Sequence, residues 1–167
     1  MPTIYKLRML SDENDNFVRE YEIDGKSTLL DLHEFISGDL GYDRDGIVSF
    51  FASDPQWNKL VEFTLMDMGE DGPVPMQSVT LAQVLGLPQA RLIYLFDMFN
   101  DRAFYLESAG AVEVDSEAGY PKTVLSVAPA PDQYEPTQTA EGGNSIFDEA
   151  LGEFGSFEGD EYYDDEY

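Results

Sequence analysis

The chain has no cysteine, a single histidine, and no lysine or arginine after Lys122. Without cysteine it can form no disulfide, thiolate nucleophile or thiolate metal site, and one histidine excludes a multi-histidine zinc site within one chain. No stretch reaches the ~18 apolar residues of a membrane span, and the first residues lack the apolar run of a signal peptide. We therefore expect a cytoplasmic protein with no metal, no cofactor and no membrane partner.

The composition nevertheless supplies a core. Of the 167 residues, 43% are hydrophobic and 13% aromatic, which gives enough apolar surface for one folded domain. Toward the C-terminus proline and glycine become more frequent, apolar periodicity stops, and acidic residues dominate. We predict a globular domain over 1–134 and a disordered, acidic, aromatic-containing tail over 135–167, with the limit of order falling between Tyr120 and Pro136.

The formal net charge of -25 is distributed unevenly. Residues 1–122 contain 22 acidic and nine basic side chains, a net charge of -13, whereas the last 45 residues contain twelve acidic side chains and no cation. Binding to nucleic acid depends on lysine and arginine displacing phosphate counterions. The charge therefore disfavours nucleic acid as a partner and favours a basic protein surface.

Alternating apolar and polar residues at 3–10 and 17–23 predict a β-hairpin. In the first of these strands, strict alternation would place Leu7 and Met9 on one side and Ile4 on the other.

A helix is predicted to begin at Thr28, because Asp31 three residues later completes a capping box. Gly38 or Gly41 would end it. At ~100° per residue, the apolar arc of this helix also includes His33. The arc itself comprises Leu29, Leu32, Ile36 and Leu40.

Further elements are predicted from short apolar runs and turn signals. They are strands at 47–52, 59–65, 91–97 and 103–113 and a short helix at 80–87. The predicted fold class is therefore α+β: a mixed or antiparallel sheet with helices packed on one face and a β-grasp-like opening, followed by the acidic tail.

A family resemblance rests on five segments that occur in the order "YKLRM", "FVREYEI", "TLLDLHEFI", "YLFDMFNDRAFYLE" and "YPKTVLSVAPAPDQY". From about Ile4 to Tyr134 the chain resembles the pRiA4b ORF-three-like plasmid family, whose best-known structural relative is an archaeal protein of unknown function. The resemblance implies an α+β sheet with helices on one side and a bacterial or mobile-element origin. It implies no biochemical activity, since the family has none agreed.

The chain departs from that family at two motifs. The tryptophan and histidine of the family's "YDFGDxWxH" hairpin have no counterpart, because this chain has Phe99, Asn100, Arg102 and Phe104 after Asp97. The family's "WR" in the second strand is reduced to "FVR", which keeps only the arginine. If these residues form an active site in some relatives, this member has lost much of it.

His33 is the first candidate for chemistry, because histidine changes protonation near neutral pH. Its place on an apolar helix arc instead favours a structural role, with a hydrogen bond donated to a backbone carbonyl or a nearby acid. Asp97, Asn100 and Asp101 could hold a cation, but asparagine and aspartate are also the usual turn formers. The candidate functional pocket comprises His33, Asp31, Arg19, Asp97 and Arg102.

The tail interleaves aromatic and acidic residues, a pattern found in disordered segments that bind basic, apolar grooves. Between residues 146 and 154 the apolar residues have the spacing of a short amphipathic helix. The alternative is a solubilising tail without a partner. The candidate interaction residues are Phe147, Leu151, Phe154, Phe157, Tyr162, Tyr163 and Tyr167.

These patterns favour a non-enzymatic protein whose tail contacts an unidentified basic protein. Two alternatives remain open: an enzyme with its site near the "DLH" helix and the hairpin at 94–104, and an acidic mimic of nucleic acid. An enzyme needs a concave polar pocket, and a mimic needs ordered, spaced carboxylates on the body. The sequence alone fixes neither the partner nor the oligomeric state.

The domain map predicts that the body folds without its tail. Truncation after Tyr134 should preserve a cooperative thermal transition, because the acidic tail has little apolar surface to offset its chain entropy. Thermal unfolding followed by circular dichroism checks this. Loss of the transition on truncation would place part of the tail in the core and would contradict the domain map.

Overall fold

The computed structural model describes residues 3–86, 89–115, 117 and 119–134. The predicted tail and all seven of its candidate interaction residues lie outside this range. The elements, in chain order, are β1 (Ile4–Ser11), β2 (Val18–Asp24), α1 (Leu29–Leu40), β3 (Ser49–Ser53), β4 (Lys59–Thr64), β5 (Val74–Pro75), a 3-10 turn (Met76–Ser78), α2 (Leu81–Leu85), β6 (Arg91–Asp97), β7 (Arg102–Val112) and β8 (Lys122–Val127).

Eight strands form one sheet in the order β5-β4-β3-β6-β7-β1-β2-β8. Neighbouring strands are antiparallel except β4 and β5, which are parallel. The predicted α+β class and mixed sheet are therefore confirmed, and among the regular elements of the described residues strand predominates over helix. None of the helices in the described part of the chain is long and apolar enough to cross a membrane.

The predicted first hairpin is present, with Leu7 opposite Tyr21. Its pairing is continuous from Ile4 to Leu10, so the alternation of β1 is kept. The register of β1 against β7 shifts between Tyr5 and Leu7, and the extra residue of this bulge lies in β7. Leu7 and Met9 belong to the main apolar cluster, with Tyr5 packed against it, whereas Ile4 is buried outside that cluster.

Capping boxes start both helices, and the one predicted at α1 is confirmed. The Thr28 hydroxyl accepts from the Asp31 amide at 3.1 Å while the Asp31 carboxylate accepts from the Thr28 amide at 2.9 Å. Thr80 and Gln83 repeat the arrangement at α2. Helix α1 ends at Gly41, whose φ of 74° lies in the left-handed region that glycine adopts without strain.

One face of the sheet and the buried residues of both helices share a single apolar cluster. His33 is buried in α1 beside Leu32 and Ile36. The opposite face carries a smaller cluster around Ile93 and Leu95.

Strand β8 was not predicted. Its residues are exposed or half-buried, so "KTVLSV" shows no alternation that would reveal a strand. It forms one edge of the sheet by pairing with β2. From the last residue of β8 the chain continues into a proline-containing segment, 127–133, which we call the strap and in which Ala128 has a φ of 68°.

Candidate functional site

The five residues of the predicted pocket take part in separate contact networks. Asp31 caps α1 and is exposed at the helix start. His33 lies in the core, and Arg19 binds Asp39. Only Asp97 and Arg102 are brought together directly, at 3.4 Å between Oδ2 and Nη1.

His33 is 1% exposed and has a partner at each ring nitrogen. Its Nε2 lies 2.8 Å from the carbonyl oxygen of Arg44, and its Nδ1 lies 2.7 Å from the hydroxyl of Tyr94. A carbonyl can only accept, so the hydrogen-bond network assigns the proton to Nε2. The hydroxyl of Tyr94 then donates to Nδ1.

Burial lowers the pKa of His33 below its ordinary value of 6.5, and the bond to the Arg44 carbonyl opposes this only in part. Burial also raises the pKa of Tyr94. Both groups are therefore neutral near pH 7. His33 borders a shallow cleft of about 290 Å³ with Glu34 and Arg44, but both its nitrogens are bonded within the protein.

A row of stacked rings crosses the core at the other candidate residues. Phe104 stacks on Phe17 with centroids 5.1 Å apart and on Phe96 with centroids 4.8 Å apart. Each end of the row carries a guanidinium: Arg19 lies 4.5 Å from the centroid of Phe17, and Arg102 lies 4.8 Å from that of Phe96. The ring faces stabilise both cations by cation–π attraction.

Arg19 is 7% exposed and binds both an acid and the backbone. Its Nε lies 3.4 Å from Asp39, and its Nη1 donates to the carbonyl oxygens of Val127 at 3.0 Å and Ala128 at 2.9 Å. The Tyr21 hydroxyl donates to the same Asp39 carboxylate at 2.8 Å. Burial raises the pKa of Tyr21, so this hydroxyl keeps its proton.

Arg102 is 6% exposed, and its N–H groups bind both a carboxylate and the backbone of the strap. Its Nε and Nη2 bind both oxygens of Glu13 at 2.9 and 3.0 Å. Its Nη1 and Nη2 donate to the carbonyl oxygens of Gln133 at 3.1 Å and Asp132 at 2.7 Å. The planar guanidinium suits this double role because it presents five donors in a fixed fork.

Burial acts to raise the pKa of Asp97, but hydrogen bonds from Asn100 and Arg102 outweigh it and hold the pKa below its usual range. The backbone N–H of Asn100 donates to Oδ1 of Asp97 at 3.2 Å, and the side-chain Nδ2 of Asn100 donates to Oδ2 of Asp97 at 2.9 Å. These are the bonds of a turn-forming aspartate. Within the described residues, no three acidic or histidine side chains converge to hold a metal ion.

Three further residues fix the strap. The Tyr42 hydroxyl donates to the Pro131 carbonyl, and the Asn14 side chain lies 3.5 Å from the Pro129 carbonyl. The side chain of Gln133 accepts from the Asp43 amide at 2.6 Å and donates to the Asp43 carbonyl at 2.9 Å. Sequence reasoning missed Tyr42 and Glu13, because their partners lie 89 residues away along the chain.

The comparisons with known proteins agree with this fold. Residues 3–135 match the family model described as Plasmid pRiA4b ORF-3-like protein, so the chain belongs to that family. No curated protein matches the sequence. A similar solved structure is the crystal structure of the protein of unknown function MM3350 from Methanosarcina mazei Go1, with a TM-score of 0.62 and 15% identity over 84% of this chain and 81% of that one. At this identity the likeness shows the fold alone.

The buried state of His33 predicts a measurable pH dependence. Because its folded pKa is lowered, the unfolded chain takes up a proton near pH 6.5 that the folded chain does not. The free energy of unfolding should therefore fall as the pH falls below about 6.5, until the folded pKa is reached. His33→Gln should remove this slope. Urea unfolding between pH 7 and 5 measures it.

Two measurements make the test specific. The single histidine gives one imidazole Cε1 proton resonance, whose titration should report a pKa below 6.5. The variant Glu34→Gln changes an exposed acid beside the same cleft and should keep the slope. A normal titration of His33 in the folded protein would contradict the buried, doubly bonded arrangement.

The network around Arg102 predicts a large loss of stability on substitution. Arg102→Met should lower the free energy of unfolding by about 3–5 kcal/mol, because it removes the cation that Glu13 and Asp97 share and the donor to two strap carbonyls. Arg102→Lys should restore only part of this, since an ammonium group lacks the fork. Urea unfolding at constant pH provides the measurement.

The matched control is Arg8→Met. Arg8 also binds a carboxylate, that of Glu20 at 2.9 Å, but its side chain is 51% exposed. A surface pair of this kind contributes about 0–1 kcal/mol. Equal losses in the free energy of unfolding for the Arg8 and Arg102 variants would show that the buried network stabilises the fold no more than a surface ion pair does.

Proposed function

We propose that this protein is a non-enzymatic, cytoplasmic interaction protein that binds a basic protein surface through its acidic tail. The observation that carries the proposal is that the polar groups of the candidate pocket are engaged within the fold. Both nitrogens of His33 and the fork of Arg102 have internal partners. The twelve acidic residues after Lys122, by contrast, have no cation among them.

The internal contacts argue against the enzyme alternative. General acid–base catalysis needs a side chain within hydrogen-bond reach of the substrate's proton. His33 could offer a nitrogen to a substrate only by losing Tyr94 or the Arg44 carbonyl, and either loss would leave a buried polar group unsatisfied. Arg19 and Arg102 would have to release the strap in the same way.

The mimic alternative is less well supported, because several acids on the folded body are paired with cations. Glu20 lies 2.9 Å from Arg8, Glu22 lies 3.7 Å from Lys122, and Arg102 neutralises Glu13. A mimic of the phosphate backbone needs a regular row of unpaired charges. The density of negative charge is higher after Lys122, where 45 residues carry twelve acids and no cation.

The composition of the tail supports binding in two stages, first attraction between charges and then burial of aromatic side chains. Its acids attract a basic surface over a distance of about one Debye length, ~8 Å at physiological ionic strength. Its aromatic residues can then fill apolar pockets, which is where most interface energy is concentrated. Charge should therefore govern the association rate and aromatic burial the dissociation rate.

This proposal predicts salt-dependent capture that depends on tail charge. A full-length variant neutralised at four tail acids should retain its partners several-fold less from host lysate at low salt, with the difference shrinking at high salt. The four substitutions are Asp160→Asn, Glu161→Gln, Asp164→Asn and Asp165→Asn. Quantitative mass spectrometry of the retained proteins measures the effect.

The control carries the same change in charge on the body. Its four substitutions, at exposed positions, are Asp15→Asn, Glu113→Gln, Asp115→Asn and Glu117→Gln. This variant should retain partners as the native protein does. Equal losses in both variants would move the contact from the tail to the general charge of the protein, and tight binding to purified DNA or RNA would exclude the proposal.

A further inference from the structure

A second surface with the character of a binding site lies on the folded body, at the end of the sheet that carries β4 and β5. It is a groove of about 420 Å³, within the size range of ligand and side-chain pockets. Most of the side chains that line it are apolar. They include Ile47, Val48, Leu65, Met66, Met68, Pro73 and Met98.

The apolar lining is unusually exposed for side chains of this size. Met66 is 73% exposed, Ile47 66%, Met68 64% and Met98 45%. Scattered exposed apolar residues are normal, but a contiguous patch of them marks an interaction surface. Methionine is suited to such a surface because its flexible, polarisable side chain adapts to different partners.

Glu62 places a carboxylate in the wall of the groove. The Ser49 hydroxyl donates to Oε2 of Glu62 at 2.9 Å, and Ser49 itself is 2% exposed. The other carboxylate oxygen, Oε1, has no hydrogen-bond partner among the described residues. A lysine or arginine side chain entering the groove could bind that oxygen while its methylene groups contact the methionines.

The other acidic residue of the lining and the acidic residues of the loop that supplies part of it carry the same sign of charge, and we call these residues the rim. Asp45 lies in the lining, and the loop that carries Met66, Met68 and Pro73 also contains Asp67, Glu70 and Asp71. Over residues 65–73 this loop has no lysine or arginine. The apolar floor and acidic rim are complementary to a segment with one apolar face and basic flanks.

We propose that this groove binds a basic amphipathic helix of a partner protein, with its apolar face on the methionines and a cation on Glu62. Helices of this kind place apolar anchors at i, i+3, i+4 and i+7 into an apolar groove. The acidic rim disfavours an acidic occupant, because like charges repel across an interface. The proposal rests on the folded body alone and does not require the tail to bind anything.

The test uses full-length protein and a synthetic peptide of about 18 residues, made of leucine and lysine, with all its leucines on one helical face. A scrambled peptide of identical composition has the same charge but no apolar face. The first peptide should bind in the micromolar range and shift the methyl resonances of Met66, Met68 and Met98. Those of the fully buried Met9 and Met76 should not move.

Variants then separate the groove from the acidic tail. Met66→Gln combined with Met98→Gln should weaken peptide binding by at least about tenfold, and Glu62→Gln by several-fold. The control pair Val124→Thr with Leu125→Gln changes side chains on β8 that are 39% exposed and should leave the affinity unchanged.

Four results would overturn the proposal. Equal binding of the scrambled peptide, or equal affinity in the groove variants, would show that the peptide binds general negative charge. Tighter binding of a leucine–glutamate peptide would contradict the charge complementarity. Self-association that is abolished by the methionine substitutions would make a second copy of the chain the occupant.

Discussion

The structure depends on how the backbone of the strap is satisfied. Two of its residues, Pro129 and Pro131, have no amide hydrogen and cannot continue the hydrogen-bond ladder of β8. Carbonyl oxygens that leave a sheet still need donors when they are buried. Here the donors are side chains: Arg19 binds the strap where it leaves the sheet, and Arg102 binds it at the far end.

Two cations with less than a tenth of their surface exposed would be costly without compensation. Both arginines have this compensation. Aromatic faces cover the guanidinium planes, and carboxylates of Asp39, Glu13 and Asp97 supply the opposite charge. The same contacts leave little polar chemistry for a substrate, which links the architecture of the core to the proposed absence of catalysis.

The parts of this fold that were predictable from sequence are those with local signals. The capping box of Thr28 and Asp31, the helix arc and the first hairpin all depend on residues close together in the chain, and all are present. Strand β8 gave no such signal because its residues are not alternately buried. The arginine networks join residues 89 and 109 positions apart, and no local pattern encodes such pairs.

Both arginines recognise main-chain oxygen atoms of the strap rather than its side chains. The identity of most strap residues therefore matters little to these hydrogen bonds, provided that the backbone follows the same path. Substitution of a strap side chain should therefore disturb the fold less than loss of either guanidinium group.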